Sequence, residues 1–132
     1  VFNYNNLIQA TDSNIFTLYS SQENCYSFQV NNIRWKQQIG VRYYYYFLNG
    51  NKTEITKLLS SFNNNVINFH QSVYIESAFF DNFEQDDIAV SVDSNLFSEK
   101  EPQVVYRNLL SELHDFMDRK QKKYIREQAV TV

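Results

Sequence analysis

Two histidines, one cysteine and an acidic stretch are the side chains from which this sequence would have to assemble a reactive site. His70 and His114 stand 44 residues apart. Neither lies beside a serine or cysteine in a recognisable nucleophile context, so triad chemistry has no frame. Two histidines with the single thiol of Cys25 fall short of a closed zinc site, and one cysteine makes no internal disulfide. Asp86, Asp87, Asp93, Glu99 and Lys100 are the residue types that hold Mg²⁺ and a water for metal-assisted cleavage. The same five residues are also ordinary for an acidic loop running into a helix start. Two glycines and one proline leave no glycine-rich cradle for phosphate, which excludes Walker and Rossmann sites. The expectation is a chain with no catalytic residues, no metal and no cofactor.

Binding chemistry is better represented. Arg34, Trp35, Lys36, Arg42, Tyr44 and Tyr46 form a basic and aromatic set of the kind on which single-stranded bases stack while cations hold phosphates. Arg42, Tyr44 and Tyr46 fall on one face of a strand by their spacing of two. The alternative for the tyrosines is a packed interior or a subunit interface, which the charge distribution favours. Residues 1–118 carry net −7 and residues 119–132 net +4. An acidic body does not draw nucleic acid by itself, because phosphate binding is driven by cations releasing counterions. A nucleic-acid role would therefore be shared with a partner. Arg119 to Lys123 reads as a solvated helix end that can touch phosphate within an assembly.

The elements that must position these residues follow from periodicity. Residues 1–14 are polar without a clean period and read as an arm; Ile15 to Tyr19 follows as a short strand. Tyr26, Phe28 and Val30 alternate with polar residues, giving a strand that runs on to Trp35. Val41 to Leu48 is another, and Asn49-Gly50-Asn51 marks a turn into a third at Thr53 to Leu58. Leu59, Phe62, Val66 and Phe69 have helical spacing, weakened by Asn63 to Asn65, and predict a short connector helix. Val73, Ile75 and Phe79 predict a fourth strand, and Ile88, Val90 and Val92 a fifth, with an acidic loop from Asp81 to Asp87 between them.

Ser98-Glu99-Lys100-Glu101-Pro102 has the cap, the glutamate three residues on and the early proline of a helix start. A long helix is predicted over 98–126, with Val105, Leu109, Leu113, Phe116 and Met117 as its apolar stripe. A helix of about 25 residues is about 37 Å long at 1.5 Å per residue, longer than the mouth of a small barrel. The distal Phe116 and Met117 are therefore expected to be buried by a partner chain, the alternative being a helix that plugs its own domain.

At 132 residues, with 43% hydrophobic and 17% aromatic residues, the chain has room for one domain with one core, assigned to 15–132 behind the arm. No apolar run approaches the roughly 20 residues needed to cross a bilayer as a helix. The first residues lack a secretory layout, and Val1 in place of methionine reads as a trimmed boundary. Asn51-Lys52-Thr53 matches a glycosylation sequon, a weak signal among sixteen asparagines.

The order of arm, short strand, three strands, connector helix, two strands and long C-terminal helix resembles the small OB-fold subunits of heterotrimeric single-strand-binding complexes. These are the smallest subunit of the CST telomere complex and that of replication protein A. Ile15-Phe16-Thr17-Leu18-Tyr19 is similar to the strand that precedes the CST barrel, and Ser72-Val73-Tyr74-Ile75-Glu76 to its fourth strand. Leu109-Leu110 and Tyr124-Ile125-Arg126-Glu127-Gln128 resemble its closing helix. The resemblance implies a mainly β chain with flanking α: a five-stranded OB barrel whose C-terminal helix packs on a larger OB-fold subunit. It also implies a non-catalytic role in a telomere- or telomerase-associated or replication assembly, single-stranded DNA shared with partners, and a nuclear, telomeric location. The cysteine usage reads as cytosolic or nuclear; without the resemblance the expected location is cytoplasmic, and the alternative function is an α+β protein-binding inhibitor or immunity-type domain.

Overall fold

The computed structural model describes residues 4–19, 24–40, 42–60, 62, 69–82 and 101–130. After a 3-10 turn at Tyr4–Leu7 come β1 (Ile8–Tyr19), β2 (Cys25–Trp35), β3 (Tyr44–Leu48), β4 (Glu54–Leu59) and β5 (Gln71–Glu76). A second 3-10 turn at Ala78–Asn82 and one long helix, α1 (Glu101–Val130), follow. The strands form one mixed sheet in the order β1-β2-β5-β3-β4. β5 is inserted between the two hairpins, antiparallel to β2 and parallel to β3. Its central place shows in its burial, since Gln71, Ser72 and Val73 are all buried whereas residues 9–13 of the edge strand β1 are all exposed.

Alternation along each strand puts Phe28, Val30 and Asn32 of β2, Tyr45 and Phe47 of β3, and Val73 and Ile75 of β5 on the face that α1 covers. Val105, Leu109, Leu113 and Met117 of α1 are at most 1% exposed against that face. Phe47 meets Tyr106 edge-on at 5.4 Å and Phe80 at 5.4 Å, and Phe28 meets Phe80 at 5.9 Å. Each such fully buried side chain contributes about 1.5–3 kcal/mol by removal from water. The helix is uninterrupted because Pro102 falls in its first turn, where no N–H is required, and no glycine follows.

Three expectations are corrected. The sheet is open among the described residues, not closed into a barrel: β1 and β4 are its free edges and do not meet. One physical reason lies in β2, eleven residues without a glycine at which a strand could fold sharply over. The helix accordingly lies across one face instead of capping a barrel end. The arm is largely strand, since β1 begins at Ile8 and pairs residue for residue with β2 from Ala10↔Arg34 to Tyr19↔Cys25. Polar residues suit it because one side of an edge strand is wet.

The third correction concerns the helical stripe. Met117 is 1% exposed and buried by its own domain, where its Sδ accepts a hydrogen bond from Asn32 Nδ2 at 3.5 Å. Phe116 is half-buried, edge-on to Phe16 of β1 at 5.3 Å. A 30-residue helix is about 45 Å long, and it does overhang, but at residues 125–129, which are exposed. The predicted fifth strand at 88–92, the cap at Ser98, most of the connector helix and most of the acidic loop lie outside the described residues; Leu58 and Leu59 belong to β4.

Candidate functional site

The six residues singled out as a basic and aromatic platform divide between two surfaces. Arg34 lies on the helix face of β2, near its end, and Lys36 directly follows the strand. Tyr44 and Tyr46 lie on the opposite face, on β3. Trp35 is buried, its Nε1 donating to Ser72 Oγ at 2.9 Å, so little of its ring is open to stacking. Arg42 is exposed in the segment before β3, not within the strand as its spacing suggested.

Where Arg34 stands, the C-terminal half of α1 crosses β1 and β2. The Arg34 guanidinium lies 4.4 Å from the ring centroid of Tyr124. Lys120 Nζ donates to Asp12 Oδ2 at 2.5 Å and lies 4.9 Å over the Phe116 ring. That bond from Lys120 holds the Asp12 carboxyl below its usual range, against the opposing effect of burial. Lys123 and Glu127 complete the rim of a cleft of about 150 Å³. Gln71 borders it from β5, 7% exposed, with an Oε1 that has no hydrogen-bond partner among the described residues. A buried amide oxygen in that condition is an acceptor available to a polar ligand.

Tyr124 also borders a second recess of about 460 Å³, lined by Gln9, Trp35, Lys36, Gln38 and His70. His70 is buried against the Tyr43 ring at 5.7 Å, and burial pushes its imidazole below the ordinary histidine range. Three cations, Arg34, Lys120 and Lys123, thus line the cleft with two carboxylates, Asp12, which pairs with Lys120, and Glu127, while Lys36 lines the recess that shares Tyr124. The arrangement can hold an anion such as phosphate beside a flat aromatic edge. The basic run of α1 was visible in the sequence, but its meeting with Arg34 and Lys36 was not, because it joins residues more than eighty positions apart.

On the other face, Tyr46 and Tyr74 stack at 4.9 Å with planes 15° apart. Lys57 Nζ lies 4.5 Å over the ring of Tyr44. Burial first, then neighbouring Tyr74, Glu54 and Tyr44, pushes the Tyr46 hydroxyl above its usual range. One face of each ring is therefore engaged, by the other ring for Tyr46 and Tyr74 and by a lysine for Tyr44. Tyr74 is the member that the sequence reading missed; its period-two place in Ser72 to Glu76, pairing with Tyr46, was the available signal.

His70 and His114 are in separate environments, the latter exposed beside Phe62 at 5.4 Å. The carboxylate set Asp86, Asp87, Asp93 and Glu99, with Lys100, lies outside the described residues. Among the described residues no group of three or more His, Cys, Asp or Glu side chains is placed to hold a metal ion, and no helix is long and apolar enough to cross a membrane. No family model, curated protein or solved structure matches the chain.

Proposed function

We propose that this chain is a non-catalytic binding subunit of a single-strand nucleic-acid assembly, with backbone phosphate held in the cleft around Tyr124 and the rest of the strand path supplied by a larger OB-fold subunit. The reading rests on one observation: Arg34 from the sheet and Lys120 and Lys123 from the helix line one cleft with Tyr124, and Lys36 lines the recess that shares this tyrosine. The sheet is read as an opened relative of the OB barrel, and the assembly as the CST or replication-protein-A type, which would be nuclear. Acidic charge elsewhere on the chain makes the isolated subunit a weak binder.

The test is anisotropy of a labelled oligothymidine with the purified chain across a salt series. Binding is expected at low ionic strength and lost near physiological salt. Lys123→Ala and Arg34→Ala are each expected to reduce the salt slope by about 0.7, the value for one single-strand phosphate contact. Binding unmoved by both substitutions would refute the cleft as the phosphate site. The tyrosine face favours a second reading, a protein-binding α+β domain of the inhibitor type, because tyrosines such as Tyr44, Tyr46 and Tyr74 give contact area at low entropic cost. Co-purification from the native source separates the two: OB-containing subunits support the first and a single enzyme the second.

A further inference from the structure

The outer edge of the sheet carries an observation that the cleft does not use. β1 is twelve residues long, and among the described residues it pairs with β2 alone. In an antiparallel ladder every second residue turns its N–H and C=O away from the partner strand, so about six residues of β1 offer backbone donors and acceptors to the outside. Edges are ordinarily blunted by lysine, proline, shortness or a bulge. The opposite edge has these devices: β4 is six residues long, carries Glu54 and Lys57, and breaks register against β3 between Phe47 and Leu48. Over residues 10–19 β1 has none of them, its one irregularity lying between Ile8 and Ala10. Its single charge, Asp12, is drawn to the helix side by Lys120. Ile15 is 73% exposed and Tyr19 66%, both on the face away from α1.

We propose that β1 pairs with β1 of a second copy of this chain, antiparallel about a two-fold axis through Ile15, so that two five-stranded sheets become one. The sequence of the strand selects both the occupant and the register. A two-fold edge contact is self-complementary, so each residue must suit the one facing it in an identical strand. With the axis at Ile15, that residue faces its own copy and the most exposed isoleucine among the described residues is covered by an isoleucine. Ser13 then faces Thr17 of the second copy, and Thr11 faces Tyr19. Asp12 faces Leu18, so no charge meets its like. An axis at Asp12 would oppose two carboxylates, and axes at Ser13 or Asn14 would leave Ile15 against Thr11 or Ser13. The chosen register keeps both helices on one side, since facing residues in an antiparallel pair share a face. The interface uses the strand edge and adjoins the Tyr124 cleft, which Ala10, Thr11 and Asp12 of the same strand also line.

The experiment is sedimentation of the full chain over a concentration series, expected to show a monomer–dimer equilibrium. Ile15→Lys sets two ammonium groups face to face on the axis and is expected to weaken the dimer by about tenfold or more, with an unchanged circular-dichroism melt at concentrations where the parent chain is monomeric, because the side chain is exposed there. A second pair of variants fixes the register, both made with Cys25→Ser to remove the native thiol. Ile15→Cys places two thiols directly opposite, roughly 5 Å apart at Cα and within disulfide reach, so mild oxidation yields a covalent dimer. Ser13→Cys places them four residues out of step, roughly 13 Å apart, and yields none. A monomer at every concentration, a dimer indifferent to Ile15→Lys, or cross-linking at residue 13 in place of residue 15 overturns the proposal.

Discussion

Met117→Ala distinguishes a helix that belongs to its own sheet from one that waits for another chain. The side chain is 1% exposed and touches the centre of the sheet through Asn32, which is itself 3% exposed. Removing it deletes the buried methylenes and thioether and opens a cavity, a change that costs about 2–5 kcal/mol in well-packed cores. It also takes the acceptor from the Asn32 amide, which then has a buried donor to satisfy. We therefore expect a loss of about 3 kcal/mol in the isolated chain, or a fall in Tm of roughly 10 °C for a domain of this size. Urea unfolding followed by far-ultraviolet circular dichroism measures it as a lowered midpoint with unchanged slope. Phe116→Ala, at a half-buried site with one edge-on ring contact, is expected to cost about half as much or less. A Met117→Ala midpoint within error of the parent chain would show that the stripe is not docked on β2 and would return it to a partner.

Other consequences are open to simpler measurements. His70 is buried with an Nδ1 that has no partner among the described residues, and burial depresses its pKa. The unfolded chain therefore takes up the proton first, and stability is complete above the ordinary histidine pKa of about 6.5 and falls as pH drops below it towards the depressed folded value; His70→Gln should flatten that part of the curve. Trp35→Phe removes the hydrogen bond to Ser72 Oγ and should cost about 1 kcal/mol; in the parent chain this single buried tryptophan should give a blue-shifted emission that moves red in step with unfolding. Lys52 holds a φ of 62° at the β3–β4 turn, where asparagine is better tolerated, so Lys52→Asn should raise stability by about 0.5 kcal/mol, read as a higher urea midpoint.

Much of the architecture was written in local patterns. Tyr26, Phe28 and Val30 alternate because one face of β2 is wet, and Val105, Leu109, Leu113 and Met117 recur at helical spacing because one side of α1 is dry. β1 was harder to read: an edge strand whose outer face meets water needs no apolar alternation, so Gln9 to Asn14 looked like an arm. The turn after β3 was placed correctly, but its positive φ falls at Lys52 instead of at Asn49, Gly50 or Asn51. Asn49 explains the shift, its Oδ1 accepting from the N–H groups of Asn51 and Thr53 and so setting a wider loop. The candidate site was legible only in halves. Arg34 and Lys36 lie two positions apart in sequence and Lys120 and Lys123 three, but only the packing of α1 on β2 brings the helical pair to Arg34, and no local period encodes a crossing angle.

The place of β5 has a consequence for how this chain reaches its native state during synthesis. β1 with β2 and β3 with β4 are each closed by a short connection, so both ribbons can zip as soon as they leave the ribosome. Neither ribbon hydrogen-bonds the other, and an isolated two-stranded ribbon is marginal in water. Only when residues 71–76 emerge does a six-residue strand slot between them, bonded to β2 on one side and β3 on the other. Its parallel pairing with β3 spans a long stretch of intervening chain, the kind of loop closure that sets the height of a folding barrier. Destabilising changes in Val73 or Ile75 should therefore slow folding itself, whereas equal losses at the tips of the ribbons should mainly hasten unfolding.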